Sequence, residues 1–313
     1  MKKHPIQHAS GSFSRRDFLR ASGITALTVG GMTVLTACGP AAQSSDASAN
    51  SSTASTSSDS SSSDSLKPGD GKTLRVGMEA AYAPYNWQTD EETEFTIPIA
   101  DMDGQYADGY DVQFAKKIGE GLGRTPVAVK LAWDGLINAV NNGTIDCIIA
   151  GMSATDERKK QIDFSDPYFV GSFGLLVLKD SDYASATSLA DFAGAAVLGQ
   201  KGTMLDDIIE DIDGVNHLTP VDSVPAQVSA LNAGTCDAIT YNVENTKGFL
   251  DANPNFVAVQ FAEGDGFQET VPANVGLKKG QDDLLAQIND ILAEVDDDTR
   301  QEMFDAAVDR QPK

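Results

Sequence analysis

The sequence predicts an α/β protein of two lobes with like topology, on three observations. Beyond residue 71 short apolar runs alternate with amphipathic stretches, the order expected of strands packed under helices. About 240 residues are available there, enough for one large or two medium domains. An internal echo chooses two: NNGTIDCIIAG (141–151) and NAGTCDAITYN (232–242) each end a helix at Gly, turn through Thr and enter an apolar strand near Asp.

The chain opens with SRRDFLR (14–20), an uncharged stretch (21–37) and LTAC ending at Cys38. Residues 1–37 read as a signal peptide, whose uncharged stretch is too short and too rich in Gly and Thr for a membrane span. Arg15 and Arg16 followed by Phe18 and Leu19 resemble the twin-arginine export signal, and LTAC (35–38) resembles a lipobox. Those resemblances imply a chain folded before export and then anchored by lipid on Cys38 to the outer face of the cytoplasmic membrane. Residues 38–71, dominated by Ser, Ala, Thr and Asp, have almost nothing to bury and read as a disordered tether. A flexible coil of that length spans roughly 30 to 35 Å.

In the first lobe, strands are expected at LRVGM, PVAVKLA, IDCIIAG and GLLVLK, with helices over 112–121 and from Leu136 to a stop at Gly143. The second lobe is expected to carry strands AAVLGQ, HLTPV, ITYN and FVAVQF and helices over 203–211, 224–233 and 243–251. The strand NVGLKK and helices from Asp282 and Thr299 then return to the first lobe. This gives lobe one as 72–178 plus 264–313 and lobe two as 179–263, with strand-like crossings near Val177 and Val259 as a hinge.

The formal net charge of −23, which becomes −27 without residues 1–37, disfavours nucleic acid and anionic lipid as partners. The acid-rich segment 90–108 lacks calcium-loop spacing and reads as an exposed insertion. Cys147 and Cys236, one in each echoing strand, read as buried free thiols, and the histidines have no ligand spacing for a metal. With no catalytic triad, nucleophile-elbow or phosphate-loop pattern, neither an enzyme nor a cofactor is expected.

The polar turn GMSAT (151–155) follows the buried strand of the first echo and opens a helix, so its outward N–H groups are suited to an anionic group. Arg158 stands one turn on, where a cation opposes the helix dipole by about 0.3 to 1 kcal/mol. Its planar fork matches a carboxylate in two parallel hydrogen bonds.

WDGLI, IIAGMSAT, ERKKQIDFSDPY and QKGT resemble the family-three solute-binding proteins of amino-acid ABC importers, over about residues 73–310. The resemblance implies a periplasmic-binding-protein-like, Venus-flytrap fold that closes on a polar amino acid and delivers it, as a monomer, to an ABC permease and ATPase. By matched motif it implies Tyr82 and Trp133 as the aromatics of the cleft, with Gly151 and Ser153 meeting the ammonium and carboxylate. Arg158 would clamp the carboxylate, Gln200 and Thr203 would close on it from the second lobe, and Glu79 would face a ligand amine or side chain. At the position where such receptors carry an acid for the α-ammonium this chain has Asn242, for which Glu79 or Glu244 could compensate. Two other readings are a dehydratase-type enzyme using Glu79 in the same cleft and a sensory lipoprotein without transport.

Overall fold

The computed structural model describes residues 71–313; the signal-peptide segment, Cys38 and the tether up to residue 70 lie outside the described residues. The described chain begins with β1 (Thr73–Met78), then a small sheet of β2 (Ala81–Tyr82), β3 (Asn86–Thr89), β4 (Ile97–Pro98) and β5 (Tyr106–Asp108). After α1 (Tyr110–Gly121) come β6 (Thr125–Lys130), a 3-10 turn at Trp133–Gly135, α2 (Leu136–Asn142), β7 (Cys147–Ile148), α3 (Asp156–Lys159) and the long β8 (Ile162–Leu178). The middle of the chain forms β9 (Ala196–Leu198), α4 (Met204–Asp207), β10 (Asn216–His217), α5 (Val224–Asn232), β11 (Ala238–Asn242), α6 (Thr246–Ala252) and β12 (Phe256–Ala258). It closes with β13 (Thr270–Lys278), α7 (Asp282–Ala293) and α8 (Asp297–Arg310).

The main sheet runs β10-β9-β11-β8-β13-β7-β1-β6, with β12 also paired to β8. Its β1 end is parallel to β6 and β7, and Leu74, Val76 and Met78 pack with Phe114 and Ile118 of α1 and Phe304 of α8 in one core. At the other end β8 and β11 alternate strictly, as a strand buried on both faces must. Leu175 and Val177 point into one cluster with Phe192 and Val197, and Leu176 points into another with Leu198, Ile239 and Phe256. Each such fully buried side chain contributes about 1.5 to 3 kcal/mol. Separate cores on one sheet make the fold two-lobed.

The echo read in the sequence has a structural counterpart. Asp146 and Asp237 each clip the strand beside them in the same way. Asp146 N donates to Arg75 O at 2.9 Å while its Oδ2 accepts Arg75 N at 2.8 Å; Asp237 N donates to Ala196 O at 2.8 Å while its Oδ2 accepts Ala196 N at 2.7 Å. Before each clip a left-handed glycine, Gly143 or Gly234, ends the helix, and the following Thr N–H reaches back to Ala139 or Ala230.

Three expectations need correction. Val177 and Val259 are not crossings: both are buried in a second-lobe cluster. The change of core occurs earlier on β8, between Phe169 and Leu175, and later before β13 reaches Ala273. Segment 90–108 is not simply an exposed insertion, because β4 and β5 put Ile97, Ile99 and Ala107 into the first core. The helix after GMSAT is a single turn, so Arg158 and Lys159 stand in its last turn as much as its first and meet no opposing macrodipole.

Candidate functional site

One cavity is lined by all nine of Glu79, Tyr82, Trp133, Gly151, Ser153, Arg158, Gln200, Thr203 and Asn242. First-lobe strand ends deliver most of them. Glu79 leaves β1, Tyr82 lies on β2, and Gly151 and Ser153 follow β7. Gly151 is required twice over: its φ is +63°, and a Cβ there would sit 3.3 Å from the Tyr82 ring. Tyr82 in turn stacks on Tyr85, with ring centroids 4.8 Å apart.

Arg158 is oriented by backbone. Its N–H is capped by Thr155 Oγ1 at 3.3 Å, and its Nη1 donates to Ser153 O and its Nη2 to Gly202 O, each at 2.8 Å. The Trp133 ring lies 5.2 Å from the guanidinium, and Trp133 Nε1 donates to the same Gly202 O at 3.0 Å. Burial holds the guanidinium below its ordinary range, partly opposed by Asp207. Among the described residues no carboxylate forms an ion pair with Arg158.

From the second lobe, Gln200 leaves β9 and donates through Nε2 to both carboxylate oxygens of Glu79, at 3.2 and 3.3 Å, and to Asp222 O. Burial pushes Glu79 up to about 7; the Gln200 hydrogen bond lowers it and the Asp134 charge raises it. Thr203 gives its hydroxyl proton to Gln200 O at 2.7 Å, which leaves that hydroxyl an acceptor rather than a donor to an anion. Asn242, at the end of β11, accepts the Tyr82 phenol proton on Oδ1. Tyr82 to Asn242, Gln200 to Glu79 and the pair of donors on Gly202 all join one lobe to the other across the cavity.

Glu244 is not among the lining residues: its Oε1 accepts Ser172 N at 2.9 Å, where β8 passes between the cores. Ala150, Met204, Leu205 and Val271 complete the lining and were not read from the sequence. Met204 and Leu205 follow Thr203 directly in the first turn of α4, so the turn itself signalled them. Val271 belongs to a β13 that starts four residues earlier than the apolar run suggests. Asn274 was also missed: its N–H donates to Met152 O at 2.8 Å and its Oδ1 accepts Ala154 N at 3.3 Å, so it holds the turn around Ser153.

Known proteins share this frame. The description "bacterial extracellular solute-binding proteins, family 3" matches residues 74–306. The L-cystine-binding protein TcyJ of Escherichia coli strain K12 is 30% identical over 227 residues, which is 72% of this chain and 78% of that protein. The ABC transporter glutamine-binding protein GlnH of Bacillus subtilis strain 168 is 32% identical over 196 residues, 62% of this chain and 69% of its own. The structure of holo ArgBP from T. maritima superposes with a TM-score of 0.59 at 30% identity, covering 71% of this chain and 89% of that one.

Proposed function

Because the chain belongs to the bacterial extracellular solute-binding proteins of family 3, we propose that it captures a polar amino acid or close derivative between its lobes and delivers it to an ABC permease and ATPase. The observation that carries this reading is that Arg158 and Glu79, the one cation and the one acid among the lining residues, share a single cavity with polar neutral groups from both lobes. That is a binding site for a zwitterion or a cationic amino acid: the three N–H groups of Arg158 not given to carbonyls take the carboxylate, and Glu79 takes the positive group. Tyr82 and Trp133 supply flat apolar walls, and Gly151, Ser153, Gln200, Thr203 and Asn242 supply neutral polar atoms around the ligand.

Each lobe holds part of the polar set, so capture requires closure, with the β8 and β13 crossings as the hinge between lobe one and lobe two. The protein acts as a monomer outside the cytoplasmic membrane, held by lipid on Cys38 through the Ser-rich tether. Among the described residues no helix is long and apolar enough to cross a membrane.

The test is a thermal-shift screen of the full chain against the twenty amino acids and cystine, with small-angle scattering then applied to whichever solutes raise Tm. Binding to the folded state at a hundredfold excess over Kd stabilises by about 2.7 kcal/mol, and closure should reduce the radius of gyration. If no solute in the set raises Tm, the amino-acid reading is wrong.

A further inference from the structure

Behind the cavity lies a carboxylate the binding reading does not use. Asp111, in the first turn of α1, is fully buried, and among the described residues no cation pairs with it. Its Oδ1 accepts the Tyr168 phenol at 2.6 Å and its Oδ2 accepts Asn86 Nδ2 at 2.7 Å. Both relays continue to the cavity wall. Tyr168 Oη accepts the Gly151 N–H at 3.0 Å, and Asn86 Oδ1 accepts the Ala80 N–H at 2.8 Å.

The direction of each relay is forced. An amide N–H only donates, so the Tyr168 oxygen is occupied by Gly151 and its single proton goes to Asp111; likewise the Asn86 carbonyl faces Ala80 and its NH₂ faces Asp111. Position 111 must therefore accept at both oxygens, which an ionised carboxylate does and an amide cannot. Burial pushes this carboxyl up to about 7, and the bonds from Tyr168 and Asn86 oppose that rise. The tethered amides belong to the two left-handed residues where the chain turns into the cavity, Ala80 at φ +51° and Gly151 at φ +63°. A non-glycine residue at positive φ is held there only by its surroundings.

We propose that Asp111 is the positioning residue of the cavity, fixing through Asn86 and Tyr168 the two turns that carry Glu79 and Ser153. The proposal rests on the amino-acid reading for its functional consequence, but its structural part has a readout of its own.

Asp111→Asn leaves one relay with two donors facing each other. Exchanging the two residues, as Asn86→Asp with Asp111→Asn, restores every bond: the carboxylate introduced at position 86 would accept from Ala80 and from the amide introduced at position 111, whose carbonyl would accept Tyr168. The full chain of each variant is measured by residue-resolved amide hydrogen exchange and by titration with the amino acid that most raises wild-type Tm. Asp111→Asn should speed exchange at Ala80 and Gly151 selectively and weaken binding about 10- to 100-fold, and the exchange of residues should regain both. Tyr168→Phe should loosen Gly151 and leave Ala80 protected, which decides the matter if Asp111→Asn does not fold. Unchanged protection of both amides in a folded Asp111→Asn, or a double variant no better than the single one, overturns the proposal. A wild type that binds no amino acid refutes the ligand reading instead, and the exchange data still decide the positioning.

Discussion

Arg158→Ala should weaken amino-acid binding by about 2 to 5 kcal/mol, and the structure shows why so much hangs on one side chain. Of the five guanidinium N–H groups, one goes to Ser153 O and one to Gly202 O, leaving three in a fork held by two lobes at once. Alanine removes the charge opposite the ligand carboxylate, takes one donor from each carbonyl while Thr155 N and Trp133 Nε1 stay on them, and takes away the cation beside Trp133. An uncompensated buried charge accounts for most of the loss. Arg158→Lys keeps a positive charge but concentrates its donors at one point, so it cannot bridge Ser153 O and Gly202 O and still present two parallel bonds; about 1 to 2 kcal/mol is expected. In Kd these are roughly 30- to 4000-fold for Ala and 5- to 30-fold for Lys, read by calorimetry at one pH and salt concentration. Ligand-free stability should change in neither variant by a comparable amount, because this buried cation has no ion-pair partner to lose. An alanine variant that binds as tightly as the wild type would sink the reasoning, as would an affinity loss matched by an equal loss of folding stability without ligand.

Glu79, pushed up to about 7, binds more protons folded than unfolded between its ordinary value near 4.5 and that point, so its contribution to stability falls as pH rises through this window; Glu79→Gln should flatten that slope in Tm against pH. If the ionised form is what takes a cationic ligand, affinity should improve about tenfold from pH 6 to pH 8 in the wild type and stay level in Glu79→Gln. For His217, burial pulls the imidazole down, but hydrogen bonds to Glu210 at 2.7 Å and Asp206 at 2.8 Å outweigh it and leave it above 6.5. Its stabilisation is therefore complete below 6.5 and lost as pH rises through the raised value, so the wild type should lead His217→Gln in Tm at pH 5.5 and lose that lead by pH 9. Asn242→Asp keeps an acceptor for the Tyr82 phenol and adds a charge, so an α-amino acid should bind about 1 to 2 kcal/mol more tightly; weaker binding by calorimetry would point to a ligand without a free α-ammonium. Cys38→Ser should move the protein from the membrane to the soluble fraction, and continued sedimentation with membranes would refute the lipid anchor.

Alternation, glycine stops and the echo made both lobes legible because those signals are local. The GMSAT turn and Arg158 were legible as an anion site from local residues, but the other cavity residues were legible only through matched motifs, since no spacing rule brings β1, β7, β9 and β11 to one place. Polarity concealed the extent of β8: the strand expected at GLLVLK in fact begins at Ile162, where IDFSDPY carries Asp163, Asp166 and Pro167. Pro167 is tolerated because it pairs with Asn274 at a register shift, where the ladder is irregular. The helix-dipole argument for Arg158 failed for a different reason. Helix length depends on the path of the chain beyond the helix, and here Gln161 N reaches back to Arg158 O and the chain turns straight into β8. What orients Arg158 is a local contact to Ser153 O, five residues back, together with Gly202 O of the other lobe, a tertiary contact invisible to a window of sequence.

The seventeen residues of β8 make a beam roughly 55 Å long, and both lobes are built onto it. The stretch between the cores is a ribbon of two strands only, and such ribbons are torsionally softer than wide sheets. The proposed opening would therefore wring this ribbon rather than swing on loose cords. The ladder is least regular around Asn274, just on the first-lobe side. Because Asn274 is the residue stapled to Met152 and Ala154, the proposed hinge would act as a torsion bar, its twist passed to the Ser153 turn at the edge of the cavity through two hydrogen bonds.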